Sequence, residues 1–99
     1  MKLIFTDEAT NSLEDILDYI SYTDSKEKSI EIRNKIAKKA RTLLSHPFIG
    51  QKEPFLERTG LDHRRLIEGY YKIIYRVEEE IIYVTDIFDS RQDPEKMKA

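Results

Sequence analysis

The fold of this chain is decided by residues 64–94, which read RRLIEGYYKIIYRVEEEIIYVTDIFDSRQDP. Three runs rich in β-branched and aromatic residues are separated by Gly69 and by a triplet of glutamates. Such runs are typical of strands, and glycine or clustered charges between them are typical of turns. We therefore predict three strands joined in an antiparallel meander by two tight turns. The predicted strands are 65–68, 70–77 and 81–88.

The second predicted strand has two chemically different faces. Side chains alternate across a strand, so every second residue points to the same side. One face is apolar and is predicted to enter the core, whereas the other mixes cations with apolar groups. The first face carries Tyr71, Ile73, Tyr75 and Val77; the second carries Tyr70, Lys72, Ile74 and Arg76. The third strand is apolar on both faces, which favours a central position in the sheet.

The residues before this stretch predict one short strand and a pair of helices. Residues 2–5 are apolar enough for a strand, and Thr6 or Asp7 can cap the helix that follows. A second helix is predicted from Asp24, with Glu27 completing a capping box, to the Pro47 boundary. Residues 47–60 are predicted to form a loop. The apolar positions at helical spacing are Ala9, Leu13, Ile16, Leu17 and Ile20, then Ile32, Ile36, Ala40, Leu43 and Leu44.

These elements predict an α+β fold for a single domain, residues 1–99. A short N-terminal strand is followed by an antiparallel helix hairpin and then by the three-stranded antiparallel meander. The helices should cover one face of the sheet. The other face should remain largely uncovered, with its cations in solvent.

Composition limits the possible functions. The chain has 99 residues, 39% of them hydrophobic and 36% charged, and no cysteine, which excludes disulfides and thiolate metal sites. No apolar run is long enough to span a bilayer, and the N-terminus is unlike a signal peptide. We therefore expect a cytoplasmic protein without contact to a membrane. We also expect no metal and no cofactor.

The net charge of −2 is distributed unevenly. Residues 25–41 hold seven Lys and Arg against two acids, and residues 64–77 hold four against one. Residues 1–24 and 78–99 are acidic in balance. Blocks of opposite sign indicate faces with different partners. Lys72 and Arg76 on an uncovered strand face would suit an anionic partner, either a nucleic acid or an acidic peptide.

The order of short motifs along the chain resembles the RelE/ParE superfamily, the toxin halves of bacterial type II toxin–antitoxin modules. The motifs are HPFIG, RRLIEG, YYKIIYRV and IIYVTDIFDSRQDP, and most of the resemblance is carried by Arg65, by residues 71–75 and by Arg91. The resemblance implies a short first strand, a helix hairpin and a three-stranded meander. It also implies a cognate antitoxin protein as partner in a hetero-oligomer. Candidate antitoxin contacts on the basic second helix are Arg33, Lys38 and Arg41.

Members of the RelE branch are ribosome-dependent mRNA endonucleases, so this resemblance implies cationic catalytic groups. Lys72 and Arg91 match the positions of two such groups, with Arg65 assisting. The C-terminal tail has neither Tyr nor His, and Met97 stands near the place of the expected tyrosine. His63 is the only plausible imidazole base, since His46 should cap a helix end. Three acids are predicted to be turn and edge residues, namely Asp86, Asp89 and Asp93.

The sequences RRLIEGYYKIIYRV and RQDP resemble the ParE branch, which is associated with plasmid stabilisation, more than the RelE branch. ParE-like members inhibit DNA gyrase and have no known catalytic residues. This resemblance implies that cations on the meander bind the target. We expect target contacts at Arg65, Lys72, Arg76 and Arg91. A RelE-like RNase that acts on the ribosome and mRNA, and a non-toxic remnant that still binds antitoxin, remain the alternatives.

Overall fold

A computed structural model describes residues 1–99. Two helices and four of the five strands follow the predicted order, and three short 3₁₀ segments lie between or after them. The strands are β1 (Lys2–Phe5), β2 (Gln51–Lys52), β3 (Arg64–Glu68), β4 (Tyr71–Glu78) and β5 (Ile81–Asp89); the helices are α1 (Asp7–Thr23) and α2 (Lys26–Arg41). The 3₁₀ segments are Thr42–Leu44, Pro54–Thr59 and Pro94–Lys96. No helix combines the length and the apolar character needed to cross a membrane.

All five strands form one sheet in the order β1-β5-β4-β3-β2. The three strands β3, β4 and β5 are antiparallel neighbours, which confirms the predicted meander, and β1 runs parallel to β5. The connection between β1 and β5 comprises the helix hairpin and the strands β2 to β4, which is long enough for the crossover that parallel strands need. β2 was not predicted. It pairs with β3 through only two residues, too few to leave a periodic signal.

The helix boundaries differ slightly from the prediction. Thr6 caps α1, and its side chain accepts from the Ala9 N–H at 3.1 Å. The predicted cap of α2 at Asp24 is wrong, because Asp24 ends α1 by donating its N–H to Ile20. Ser25 caps α2 instead and accepts from the Lys28 N–H, so Glu27 cannot complete a capping box. α2 also ends before Pro47, at Arg41, where a 3₁₀ turn follows.

The main core lies between the helices and the sheet. Tyr71, Ile73 and Tyr75 of β4 are buried there, which confirms the predicted apolar face of that strand. The Tyr75 hydroxyl accepts from the Gly50 N–H at 2.9 Å. A Cβ at Gly50 would lie 2.6 Å from that hydroxyl and 2.7 Å from the Arg65 carbonyl, so only glycine fits. Tyr70 lies in the β3–β4 turn and not in the strand, contrary to the prediction.

The opposite face of the sheet is covered, so the prediction of a largely uncovered face is wrong. The 3₁₀ segment Pro54–Thr59 brings Leu56 over Ile74 and Phe88, and the C-terminal tail adds Met97. All four side chains are buried in this second core. A loop and a tail supply the cover, and neither has the periodicity that reveals a helix or strand in a sequence.

A β-bulge interrupts β5 beside this second core. Ile74 pairs with Asp86 and Tyr75 pairs with Val84, so Thr85 is the extra residue. The bulge places Asp86 inside the protein with 2% of its surface exposed. The prediction that Asp86 is a turn or edge residue is therefore wrong. Asp89 ends β5 and Asp93 caps the last 3₁₀ segment, as predicted.

Candidate functional site

Lys72 is not free on the sheet surface. Its Nζ donates to Oε1 of Glu53 at 2.9 Å and lies 5.6 Å from the centroid of the Phe55 ring. The Glu53 side chain is fully buried and also accepts from the Phe55 N–H at 3.1 Å through Oε2. Glu53 therefore caps the 3₁₀ segment and anchors it to β4 through Lys72. The sequence alone does not identify Glu53 as a site residue. The available signal is Lys72 itself, because a lysine on a covered sheet face needs an acidic partner.

Arg65 joins the same cluster from β3. Its guanidinium donates to the Lys52 carbonyl at 2.6 Å and to the Gln51 side chain at 3.3 Å, and it lies 3.9 Å from Glu53 Oε1. Arg65 thereby holds β2 on the sheet edge. Two of the predicted site residues, Arg65 and Lys72, are thus brought together, around a shared acid.

Arg76 lies on β4, four residues after Lys72. It forms an ion pair with Glu78 and stacks 5.0 Å from the centroid of Tyr83 on the neighbouring strand. It also lies near His63, whose pKa is lowered first by burial and then by the Arg76 charge. His63 Nδ1 is 3.3 Å from the Thr59 hydroxyl, and only 2% of the residue is exposed. A neutral, buried imidazole of this kind cannot reach a substrate.

Arg91 stands apart, just beyond the end of β5. It donates from Nε to Asp89 Oδ1 at 2.9 Å and from Nη2 to Oδ2 at 2.7 Å, a bidentate pair. These bonds lower the pKa of Asp89 and raise that of Arg91. The guanidinium carbon also lies 4.3 Å from the centroid of the Tyr70 ring. The Arg91 side chain remains 56% exposed, and Tyr70 beside it is exposed as well.

The four predicted target contacts therefore occupy three places. Arg65 and Lys72 surround Glu53, Arg76 lies with Tyr83, and Arg91 lies with Tyr70. Met97, which stands near the position expected for a catalytic tyrosine, is buried in the second core. No group of three His, Cys, Asp or Glu side chains is arranged to hold a metal ion.

The three candidate antitoxin contacts on α2 differ from the four cations of the meander in having no acidic partner. Arg33, Lys38 and Arg41 are exposed and form no ion pair within the chain. Lys28 and Lys35 on the same helix are each paired with Glu31, 3.3 Å away. The unpaired cations give α2 an outward positive charge that no neighbouring acid neutralises.

A groove with a volume of about 1020 Å³ runs between the helix hairpin and the β5 end of the sheet. Ile16, Tyr19 and Ile32 line it from the helices. On the other side it is lined by Tyr70 in the β3–β4 turn, by Asp86 in β5 and by Arg91 just beyond β5. Burial raises the pKa of Asp86, and the Ser12 hydroxyl and the Lys98 N–H partly offset that effect. Asp86 Oδ2 accepts from the Lys98 N–H at 3.1 Å, while Oδ1 has no hydrogen-bond partner.

The comparisons with known proteins agree with this architecture. The family described as ParE toxin of type II toxin-antitoxin system, parDE, matches residues 3–94. A solved chain of a chromosomal ParDE TA system from P. aeruginosa shares the fold, with a TM-score of 0.74. Its identity to this chain is 22%, and the match covers 90% of this chain and 95% of that chain. No curated protein matches the chain.

A helix hairpin packed on an antiparallel meander places this chain in the same structural class as the chain from the ParDE system. Within that class, the family match spans nearly the whole sequence. The chain therefore belongs to the ParE family, the toxins of ParDE-type type II toxin–antitoxin systems. The predicted resemblance, including the choice of the ParE branch, is confirmed.

Proposed function

We propose that this ParE-family toxin acts by binding DNA gyrase and that a cognate antitoxin protein neutralises it. The observation that supports a binding mechanism most directly is the contact of Lys72 with buried Glu53 at 2.9 Å. A cation held in such a pair is poorly placed to stabilise charge on a cleaved phosphate, which is the role that an RNase needs.

The two positions at which an RNase is expected to carry acid–base groups support the same proposal. His63 is buried and its pKa is lowered, and Met97 packs in the second core. General acid–base catalysis needs a group within hydrogen-bond reach of the transferred proton. Neither residue offers one at the surface, so an RNA-cleaving mechanism could not take its proton donor or acceptor from these two positions.

Arg91 is proposed as the main target contact. More than half of its side chain is exposed, and Tyr70 stacks against it. Arg and Tyr are the residue types that most often dominate protein interfaces. Asp89 fixes the guanidinium by two hydrogen bonds, which reduces the side-chain entropy lost on binding. Arg65 and Arg76 are proposed as secondary contacts, and Lys72 is proposed to support the surface through Glu53.

The antitoxin is proposed to bind the basic face of α2. Arg33, Lys38 and Arg41 are exposed there without acidic partners. A flexible acidic segment can cover such a surface and bury its unpaired charge. A stable complex would also raise the melting temperature of the toxin by mass action.

Two assays with the purified protein test the mechanism. The proposal expects inhibition of gyrase-catalysed supercoiling and no cleavage of mRNA on translating ribosomes. Cleavage without inhibition would favour an RNase. Tight antitoxin binding with neither activity would favour a non-toxic remnant.

A further inference from the structure

Three apolar side chains between the end of α2 and β2 are exposed to solvent. Leu44 is 46% exposed, Phe48 56% and Ile49 62%, all within six positions of the chain. Isolated exposed apolar residues are common, but several close together mark an interaction site. We refer to Leu44, Phe48 and Ile49 as the 44–49 patch.

The backbone that carries the patch is fixed from behind. Arg64 donates to the carbonyls of Phe48 at 3.2 Å and Gly50 at 2.9 Å, and its guanidinium carbon lies 5.6 Å from the centroid of the Phe48 ring. The Ile49 N–H bonds to the His46 carbonyl at 3.3 Å. The Gly50 N–H bonds to the buried Tyr75 hydroxyl. The exposed apolar side chains are therefore carried by a loop whose backbone is hydrogen-bonded to the sheet, which reduces the ordering of the chain that binding requires.

The positive charge around the patch indicates the chemical character of its partner. Residues 32–52 contain six Lys and Arg and no Asp or Glu. Arg41 immediately precedes the turn that carries Leu44, and Lys38 lies one helical turn earlier. A second copy of this chain, docked by the same surface, would bring like charges together. A partner that combines acidic and apolar residues meets no such repulsion.

We propose that the 44–49 patch docks an acidic, amphipathic segment of the antitoxin, with Phe48 and Ile49 as its apolar anchors. Lys38 and Arg41 form the charged rim that meets the acidic side of that segment. This inference rests on the proposed function and assigns the position of the antitoxin contact. An amphipathic segment presents apolar side chains on one side and charges on the other, which matches the patch and its rim.

The test measures binding of the protein encoded by the adjoining gene to purified toxin variants. The double variant Phe48→Ala/Ile49→Ala should weaken binding at least tenfold. Arg41→Glu should weaken binding and reduce its dependence on salt, because an attractive charge pair is lost. Tyr22→Ala is the matched control, since Tyr22 is a 91% exposed aromatic residue on α1 outside the patch. It should bind like the wild type.

Leu44→Ser is a second patch variant in case the double variant melts at a lower temperature, because it leaves the Arg64–Phe48 contact in place. Unchanged affinity in the patch variants, with binding by the wild type intact, would overturn this inference alone. If the wild-type toxin forms a dimer that Phe48→Ala dissociates, the patch binds a second copy of the chain, and the inference is overturned. Absence of wild-type binding would overturn both this inference and the proposed antitoxin partnership.

Discussion

Lys72 Nζ and Glu53 Oε1 lie 2.9 Å apart, and the glutamate side chain has no exposure to solvent. The pair joins a strand of the meander to the 3₁₀ segment that covers it. It explains why a lysine can occupy a sheet face that Ile74 and Phe88 make apolar. The position of Lys72 is therefore determined as much by packing as by any contact with a target.

We predict that Lys72→Met lowers the free energy of unfolding by about 3 kcal/mol, because it leaves a buried carboxylate without its nearest cation. Glu53→Gln/Lys72→Met should cost less than the sum of the two single changes. Urea unfolding of the four proteins gives the coupling free energy. Additive costs would show that the pair is not coupled.

Tyr75→Ala should lower the free energy of unfolding by about 2–4 kcal/mol, on the scale of large-to-small core substitutions. Tyr75 is fully buried and also supports Gly50 through its hydroxyl. Tyr75→Phe is the control that removes only the hydroxyl and should cost about 1–2 kcal/mol. Equal losses from both variants would mean that the hydrogen bond, and not the packing of the ring, provides the stability.

Asp86→Asn should stabilise the protein at neutral pH. The folded-state pKa of Asp86 is raised, so the cost of burying its charge is absent below the unfolded pKa and grows as the pH rises through the folded pKa. Asparagine keeps an acceptor for the Lys98 N–H without the charge. The melting temperature of the variant should exceed that of the wild type at pH 7, and the difference should shrink towards pH 4. A difference independent of pH would contradict this explanation.

Arg91→Ala should relieve growth arrest and leave the melting temperature within a few degrees of the wild-type value. The side chain is exposed, and exposed ion pairs contribute little to stability. Arg91→Lys should restore only part of the toxicity, because lysine cannot form the bidentate pair with Asp89. Full toxicity of Arg91→Ala in a growth assay would exclude Arg91 as a target contact.

Much of the architecture follows from the sequence because β4 and the helices have regular periods. The alternation through Tyr71, Ile73 and Tyr75 correctly identified the core face. The sequence predicts the cap of α2 one residue too early because Asp24 and Ser25 are both good capping residues. β2 was missed because its two residues are too few for a period to be detected.

The environment of the candidate site was harder to predict. Its cover comes from Leu56 and Met97, which lie 18 and 23 residues from Ile74 along the chain and belong to segments without a repeating pattern. The burial of Asp86 depends on the bulge at Thr85, which shifts the alternation of β5 by one residue. Contacts of this kind depend on tertiary structure, and local patterns do not encode them.

One paired measurement tests most directly whether the toxin binds gyrase and does not cleave RNA. Purified toxin is added to a gyrase supercoiling assay and, in parallel, to translating ribosomes with a labelled mRNA. We predict that supercoiling is inhibited, that Arg91→Ala loses the inhibition, and that the mRNA stays intact. Cleavage of the mRNA with supercoiling unaffected would contradict the proposed gyrase mechanism.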